Sequence, residues 1–263
     1  MSDYLDVSSL DEAGTAALRR LITSLADTKR LMGIRYSDWL LGAPSIETGI
    51  AASSMAQDEW GHARLLYSML KELGDDPVPV EHDRDGSEYA NLGALDEPFP
   101  DWAATVAAMV VVDGAISVAL DAFARGRFEP AASRCPKMLA EEEFHVSLGA
   151  AWYGRLADSS SATATSLLRG ATERMLPPVL AWLGASDEAA RTLVAAGVTD
   201  EGPAQVAAYR DRLRDLVARV GIDIDAVDAE AEWDAGRGRG PGRPGQDAVE
   251  RARGDLNRAL FVE

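Results

Sequence analysis

The pattern of apolar and polar positions along the chain is mainly that of helices. Apolar residues recur at the three- and four-residue spacing of one helical face, and runs rich in β-branched residues are few. Ser8 or Ser9 is the expected N-cap of the first helix and Ser45 that of the second, and Gly74 stands where a helix-ending glycine belongs. The pattern predicts four long helices, at about 11–41, 45–73, 101–126 and 130–156.

The segment 75–100 interrupts this pattern. It contains four prolines, many acidic residues and little periodicity, and it is longer than an ordinary connection. Two helical hairpins joined by one long crossover have the connectivity of ferritin-like four-helix bundles. We therefore predict an all-α fold in a single domain, with a ferritin-like four-helix bundle at about 9–158 and a helical C-terminal extension at 159–263.

Shorter helices are predicted in the extension, and prolines are expected to disturb the fourth and fifth predicted helices. Pro136 predicts a kink or a short break in the fourth helix, and Pro177-Pro178 an interruption in the fifth. The Gly/Arg-rich segment 236–245 follows no strand, so it is predicted to be a mobile surface loop rather than a phosphate-binding turn. The helices of the extension are expected at about 162–183, 203–220 and 246–261.

Composition narrows the possible partners. The 263 residues carry a formal net charge of −17, which disfavours nucleic acid and anionic membrane surfaces. No apolar run is expected to approach the roughly 20 residues of a membrane span, and residues 1–10 lack the pattern of a secretory signal. Cys135 is the only cysteine, so intramolecular disulfides are impossible and a cytoplasmic location is expected.

Two Glu-x-x-His pairs carry the candidate chemistry. Glu59 precedes His62 by three residues, and Glu142 precedes His145 in the same way. The pairs fall on the second and fourth predicted helices, and residues three apart share one helical face. Carboxylate-bridged di-metal bundles use two such pairs, together with one carboxylate from each of the other two helices.

The remaining two ligand positions should lie about 30 residues upstream of each pair, on the neighbouring helix of each hairpin. Asp113 occupies that position before Glu142, in a stretch so apolar that an unpaired carboxylate would be costly. Lys29 occupies it before Glu59, where a carboxylate is expected. Asp27 is two residues away and points to another side of the helix, so it does not substitute.

Lys29 leaves three arrangements open. Its ammonium group can act as a resident counter-ion to Glu59, Asp113 and Glu142, giving a metal-free ion-pair network. One metal ion can be bound instead, or two with Lys29 displaced. Neighbouring carboxylates raise the pKa of a lysine, which works against a neutral, metal-binding amine.

The other polar and aromatic candidates have simpler interpretations. His82 lies in the acidic crossover and is expected to be solvated, and Cys135 to be inert. Glu141 and Glu143 are expected to face solvent or a subunit contact. Helix packing is the expected role of five aromatic residues, Tyr36, Trp39, Trp60, Tyr67 and Trp152.

Four motifs resemble the ferritin-like subunits of bacterial phenylacetyl-CoA epoxidase, a multicomponent monooxygenase with paralogous A-type and C-type subunits. The resemblance covers about 25–156. Its motifs are Ala43-Pro44, Gln57-Asp58-Glu59-Trp60-Gly61-His62, Val112-Asp113-Gly114-Ala115 and Glu141-Glu142-Glu143-Phe144-His145.

The resemblance implies a function at the level of a complex. In this family the A-type subunit is catalytic: its di-iron centre activates O2 and epoxidises the aromatic ring of a CoA thioester, with electrons from a separate reductase. The C-type subunit is typically structural and pairs with it. Position by position, the metal-bearing pattern matches Glu59, His62, Asp113, Glu142 and His145 and departs at Lys29, where that form has Glu.

Other features favour the C-type subunit. They are the modest length, a helix after Trp233 and the segments 35–39 and 63–67, whereas the retention of both histidines favours the metal-bearing form. The resemblance thus implies an accessory subunit with no metal or with iron at an altered site, and a homologous catalytic subunit, or a second copy of the chain, as partner. The alternatives are a di-iron oxygenase subunit and a stand-alone ferritin-like metal-binding protein.

Overall fold

A computed structural model describes residues 4–254 and residue 260. Four long helices form two hairpins, as predicted. They are α1 (Glu12–Ser37), α2 (Ile46–Ser68), α4 (Trp102–Arg125) and α5 (Glu129–Ala157), with the short α3 (Pro77–His82) lying in the crossover. The described part of the chain contains one isolated β-bridge, between Asp234 and Arg239, and no longer strand pairing.

Most helix ends agree with the sequence signals. Ser45 caps α2 by accepting from the Thr48 amide, and Gly74 adopts the left-handed conformation after the final turn. The expected cap of α1 was wrong: Asp11, not Ser8 or Ser9, accepts from the Gly14 amide. The first helix was also predicted to be too long: α1 ends at Ser37 rather than near residue 41, and a series of turns leads into α2.

The crossover is more ordered than a long loop. Its Arg84 forms an ion pair with Asp27 of α1, and the second oxygen of that carboxylate accepts from the Ala90 amide at 2.8 Å. The buried Arg35 of α1 donates to the carbonyl oxygen of Leu95 at 2.9 Å. These contacts hold the crossover against α1 and close that side of the bundle.

The expected helix breaks at the prolines were wrong, while a kink at Pro136 stays a prediction. Helix α5 continues through Pro136, and α6 (Ala162–Leu183) continues through Pro177 and Pro178. Pro136 is exposed, and the carbonyls that the two α6 prolines leave without an amide partner belong to the exposed Glu173 and Arg174. Water can satisfy such carbonyls, so each proline costs less than it would in a buried helix.

The extension packs against the bundle, and it contains one helix more than predicted. Helix α7 (Glu188–Ala195) was not expected, and it lies between α6 and α8 (Gly202–Ala218) in the chain. Helix α9 runs over Gln246–Arg253. The remainder of the predicted 246–261 helix falls mostly on residues 255–259 and 261, which lie outside the described residues.

The prediction that the Gly/Arg-rich segment lies at the surface was wrong for Gly238, Arg239 and Pro244, which are buried. The side chain of Arg239 is fully buried and forms an ion pair with Asp96 at 2.5 Å. It also donates to the side-chain oxygen of Asn91 at 2.7 Å. The segment therefore joins the extension to the crossover through a buried guanidinium, which periodicity could not indicate.

Helix α4 is the central helix of the bundle. Its length and mean hydropathy reach those of a membrane span, contrary to our expectation that no apolar run would do so. However, 94% of its most apolar window is buried inside the protein. Its apolar face surrounds Asp113 with Val111, Val112 and Ile116, so this carboxylate needs partners from the neighbouring helices.

Candidate metal centre and buried ion network

All six residues selected from the sequence meet at the centre of the bundle. Each is at most 2% exposed, and every one of the four long helices contributes at least one of them. This agrees with the spacing of about 30 residues that was expected between facing positions of each helical hairpin. The set is Lys29 on α1, Glu59 and His62 on α2, Asp113 on α4, and Glu142 and His145 on α5.

Lys29 lies between the carboxylates of the two Glu-x-x-His pairs. Its Nζ donates to Oε1 of Glu59 at 2.9 Å and to Oε1 of Glu142 at 2.5 Å. The side chain is fully buried. The ammonium group therefore occupies the position at which a two-metal bundle would have its sixth carboxylate.

Both histidines turn Nδ1 towards this cluster. Nδ1 of His62 lies 3.2 Å from Oε1 of Glu142. Nδ1 of His145 lies 3.3 Å from Oε1 of Glu59, 3.6 Å from Oδ2 of Asp113 and 3.5 Å from Oε2 of Glu142. Three carboxylates thus face three groups that can carry positive charge.

The opposite nitrogens of the histidines meet two carboxylates that the sequence analysis did not assign to the site. One of them, Glu141, was expected to face solvent or a subunit contact, and its side chain is 39% exposed. Nε2 of His62 on α2 lies 2.7 Å from Oε2 of Glu141 on α5. Nε2 of His145 on α5 lies 3.4 Å from Oδ2 of Asp58 on α2. An acidic residue immediately precedes the glutamate in both motifs, and this repetition was the signal that could have identified the pair. The two contacts cross between α2 and α5 and orient both imidazoles.

Tyr36 is the third residue that the sequence analysis missed. It was expected to pack in the core, and it is fully buried, but its hydroxyl also donates to Oδ2 of Asp113. Its ring lies edge-on to that of His145, with centroids 6.1 Å apart. Burial, followed by the nearby Asp113 charge, raises the pKa of Tyr36 well above its ordinary value, so it remains a donor.

Burial and the mixed charges shift the pKa values of the cluster in different directions. Burial lowers the pKa of Lys29, but Glu142, Glu59 and Asp113 outweigh it and raise the value above that of a free lysine. Burial also opposes the charge on His145, yet hydrogen bonds to the carboxylates raise its pKa to about 12. Both groups therefore carry positive charge at neutral pH.

The two glutamates differ. Burial raises the pKa of Glu59 to about 7, although Lys29 lowers it. Burial has the same effect on Glu142, but Lys29 and the hydrogen bonds of His145 and His62 outweigh it and hold its pKa well below the ordinary value. Glu142 is therefore the firmly ionised carboxylate of the cluster.

The donor set can be compared with the needs of a metal ion. Glu59, Asp113, Glu142 and His145 offer ligand atoms that all lie within 4.8 Å of one another, a group that could hold one ion. Two adjacent divalent ions need more anionic oxygens to offset their repulsion, and here the sixth position is cationic. With Lys29 bound to two of the carboxylates, the residues do not fit a two-metal centre.

The other candidates lie away from this cluster. Asp27 is buried, but its carboxylate pairs with Arg84 and accepts a hydrogen bond from Tyr67. It points away from the cluster, as its position on the helix predicted. Cys135 is buried, and burial raises its pKa to about 12, which keeps the thiol protonated. His82 is partly exposed in the crossover, with its Nε2 3.7 Å from Oε1 of Glu81.

The fold and the site together define a ferritin-like bundle with a carboxylate and histidine cluster at its centre. The chain belongs to the family described as phenylacetic acid catabolic protein, whose model matches residues 1–239. The match confirms the family indicated by the motifs and applies to the A-type and C-type subunits alike. The comparison with curated proteins gave no match.

Proposed function

We propose that this chain is an accessory subunit of a phenylacetyl-CoA epoxidase-like multicomponent monooxygenase, in which Lys29 closes a former metal site. The partner would be a homologous ferritin-like catalytic subunit. In this proposal the acyl-CoA substrate and the reductase act at the level of the complex, in the cytoplasm. The observation that carries the proposal is the buried ammonium group of Lys29 between Glu59 and Glu142.

The physical argument is a competition between two cations for the same oxygens. A metal ion entering the cluster would have to break both Lys29 ion pairs and approach a fixed positive charge in a weakly screened interior. Removing one partner of a buried ion pair typically costs about 3–5 kcal/mol. Metal binding must therefore exceed this cost before any occupancy is reached.

In the accessory role, the residues of the cluster maintain the bundle. Lys29 holds α1 against α2 and α5 through its two glutamate partners. Tyr36 keeps a donor on Asp113. The complex would then gain a rigid fold-mate that positions the catalytic subunit.

A second candidate function is a metal-binding oxygenase subunit of the same family. Its support is the retention of Glu59, His62, Asp113, Glu142 and His145, four of which offer closely spaced ligand atoms. In that case these five residues would hold iron, which would supply the O2 chemistry, and Lys29 would have to move away.

The first experiment measures iron per chain by elemental mass spectrometry, after expression in iron-replete medium. We expect near-zero iron in the parent protein and at least a tenfold increase in Lys29→Glu, which exchanges a repelling charge for a ligand. Lys71→Glu is the matched control, since Lys71 is exposed and lies near the end of the second predicted helix, 45–73. About two irons per chain in the parent would refute the accessory role and support the oxygenase.

A second experiment tests the partner. The chain is co-expressed with an A-type catalytic subunit and passed through affinity capture and size-exclusion chromatography. Co-elution at a fixed ratio is expected. A stable homo-oligomer that excludes the A-type subunit would instead favour a stand-alone protein.

A further inference from the structure

The outer face of α2 carries an uncharged stripe along its whole length. Positions three or four residues apart share one face of a helix. Six successive positions of this kind are exposed and none of them is charged, although charged residues make up 26% of the chain. The solvent face of a helix is normally charged, so this stripe has the composition of a surface that a partner covers. Its members are Ile46, Ile50, Ser54, Gln57, Gly61 and Leu65.

Large apolar side chains project from one end of the stripe. Ile46 is 79% exposed and Ile50 61%. The connection before α2 adds Leu40 and Leu41, of which Leu41 is 95% exposed. A Cβ at Gly49 would clash with the carbonyl oxygen of Leu40, so this connection lies directly on the first turns of α2. A contiguous apolar surface of this kind marks an interaction site.

Helix α5 continues the uncharged surface beside α2. Glu141 of α5 contacts His62 of α2, and Phe144, one turn further along α5, is exposed. Residues three apart lie on one side of a helix, so Phe144 stands on the side of α5 that borders α2. Other exposed positions at helical spacing from Phe144 are also uncharged, namely Ala140, Ser147 and Ala151. We call the two stripes together the α2–α5 face.

The dimensions of the α2–α5 face suit a helical partner. From Ile46 to Leu65 the stripe is about 29 Å long, and two neighbouring helices of this length offer about 600 Å². A standard protein interface buries about 800 Å² on each partner, which the connection before α2 helps to reach. The middle of the face is low, because a Cβ at Gly61 would meet nothing within 4 Å. A partner helix can therefore approach closely between the larger side chains at either end.

Charge distinguishes between the possible helical partners. Arg64 is exposed beside the stripe and forms no ion pair with the described residues. Two copies of this chain would each carry a formal charge of −17, which opposes self-association. A different subunit that places a carboxylate opposite Arg64 would instead be attracted and held in register.

We propose that the α2–α5 face binds a helix of the homologous catalytic subunit, with Leu65 and Phe144 packed against the apolar side of that helix and Arg64 paired with one of its carboxylates. This inference rests on the proposed function, to which it adds the binding surface and the residues that anchor the partner.

The test uses an A-type catalytic subunit as the probe. Both full-length proteins are purified, and their binding is measured by size-exclusion chromatography with light scattering and by isothermal titration calorimetry. Gly61→Trp fills the low middle of the face without a clash inside this chain, and Leu65→Arg places a charge in it. Each should weaken binding at least about tenfold, while the thermal melt stays close to that of the parent.

Matched controls carry the same two changes on α6. A Cβ at Gly170 would meet only Nη1 of Arg174, at 3.3 Å, and Leu167 is exposed like Leu65. Gly170→Trp and Leu167→Arg should therefore bind the A-type subunit like the parent. If Gly61→Trp and Leu65→Arg also bind like the parent, the assigned face is wrong while the accessory role stands.

Two exposed arginines test the charge pairing. Arg64→Glu should weaken binding about tenfold, and this loss should shrink at high salt. Arg212→Glu on α8 is the control and should bind normally, because Arg212 is exposed on a helix outside the face. Equal binding by the two variants would show that no carboxylate of the partner faces Arg64.

Failure of the proposed function has a different signature. A parent chain that does not bind the A-type subunit at all would overturn the proposed function together with this proposal. Light scattering of the parent alone then identifies the remaining occupant. A dimer that Gly61→Trp and Leu65→Arg dissociate would assign the α2–α5 face to a second copy of the chain, against the partner proposed here.

Discussion

Removing the buried ammonium group of Lys29 should lower the free energy of unfolding, and this can be measured without metal or a partner. Lys29→Met keeps most of the side-chain length but removes the charge that compensates Glu59 and Glu142. Both carboxylates are at most 2% exposed, so water cannot easily replace the lost partner. We expect the free energy of unfolding to fall by about 3–5 kcal/mol.

The assay is urea unfolding followed by circular dichroism, in a buffer containing a chelator, together with a thermal melt. At about 2–4 °C per kcal/mol for a protein of this size, the melting temperature should fall by roughly 10 °C. Lys71→Met is the control, because Lys71 is exposed, and its effect should stay within about 0.5 kcal/mol. A loss below about 1 kcal/mol in Lys29→Met would refute the ion-pair reasoning.

A double-mutant cycle tests the same ion pair in a second way. Glu142→Gln removes the carboxylate that Lys29 approaches most closely, at 2.5 Å. Combined with Lys29→Met, it should recover part of the lost stability, with a coupling of about 0.5–3 kcal/mol. Strict additivity of the two changes would contradict a direct interaction between these residues.

Two further predictions concern the frame around the cluster. Burial raises the pKa of Asp187, but hydrogen bonds from Arg20, the Ala190 amide and Trp233 outweigh it and lower the value to about 2. The ionised carboxylate therefore stabilises the fold above about pH 4, and this contribution is lost as the pH falls towards 2. When unfolding is followed during an acid titration, Asp187→Asn should lose less stability over this window than the parent. A Cβ at Gly33 would lie 2.5 Å from Nε1 of Trp60, whereas one at Gly61 would meet nothing within 4 Å. Gly33→Ala should destabilise by about 1–3 kcal/mol and Gly61→Ala should stabilise by up to about 1 kcal/mol in urea unfolding, and the reverse order would contradict the packing of α1 against α2.

The sequence determined the bundle and the members of its central cluster. Hairpin connectivity and the repeated Glu-x-x-His spacing follow from local rules, because residues three apart share a helical face and antiparallel helices fix the partner about 30 residues away. Those rules placed Lys29 opposite Glu59 and Asp113 opposite Glu142. A charge at an apolar position is also a local signal, which is why Asp113 could be recognised.

Only the tertiary structure shows which distant residues contact the cluster and support it. Asp58 and Glu141 join the histidines of opposite helices, and Tyr36 joins Asp113, through contacts between residues far apart in the chain. The burial of Arg239 also depends on how the extension packs on the bundle. Periodicity reports which face of a helix is buried, but it does not report which distant segment covers that face or leaves it open.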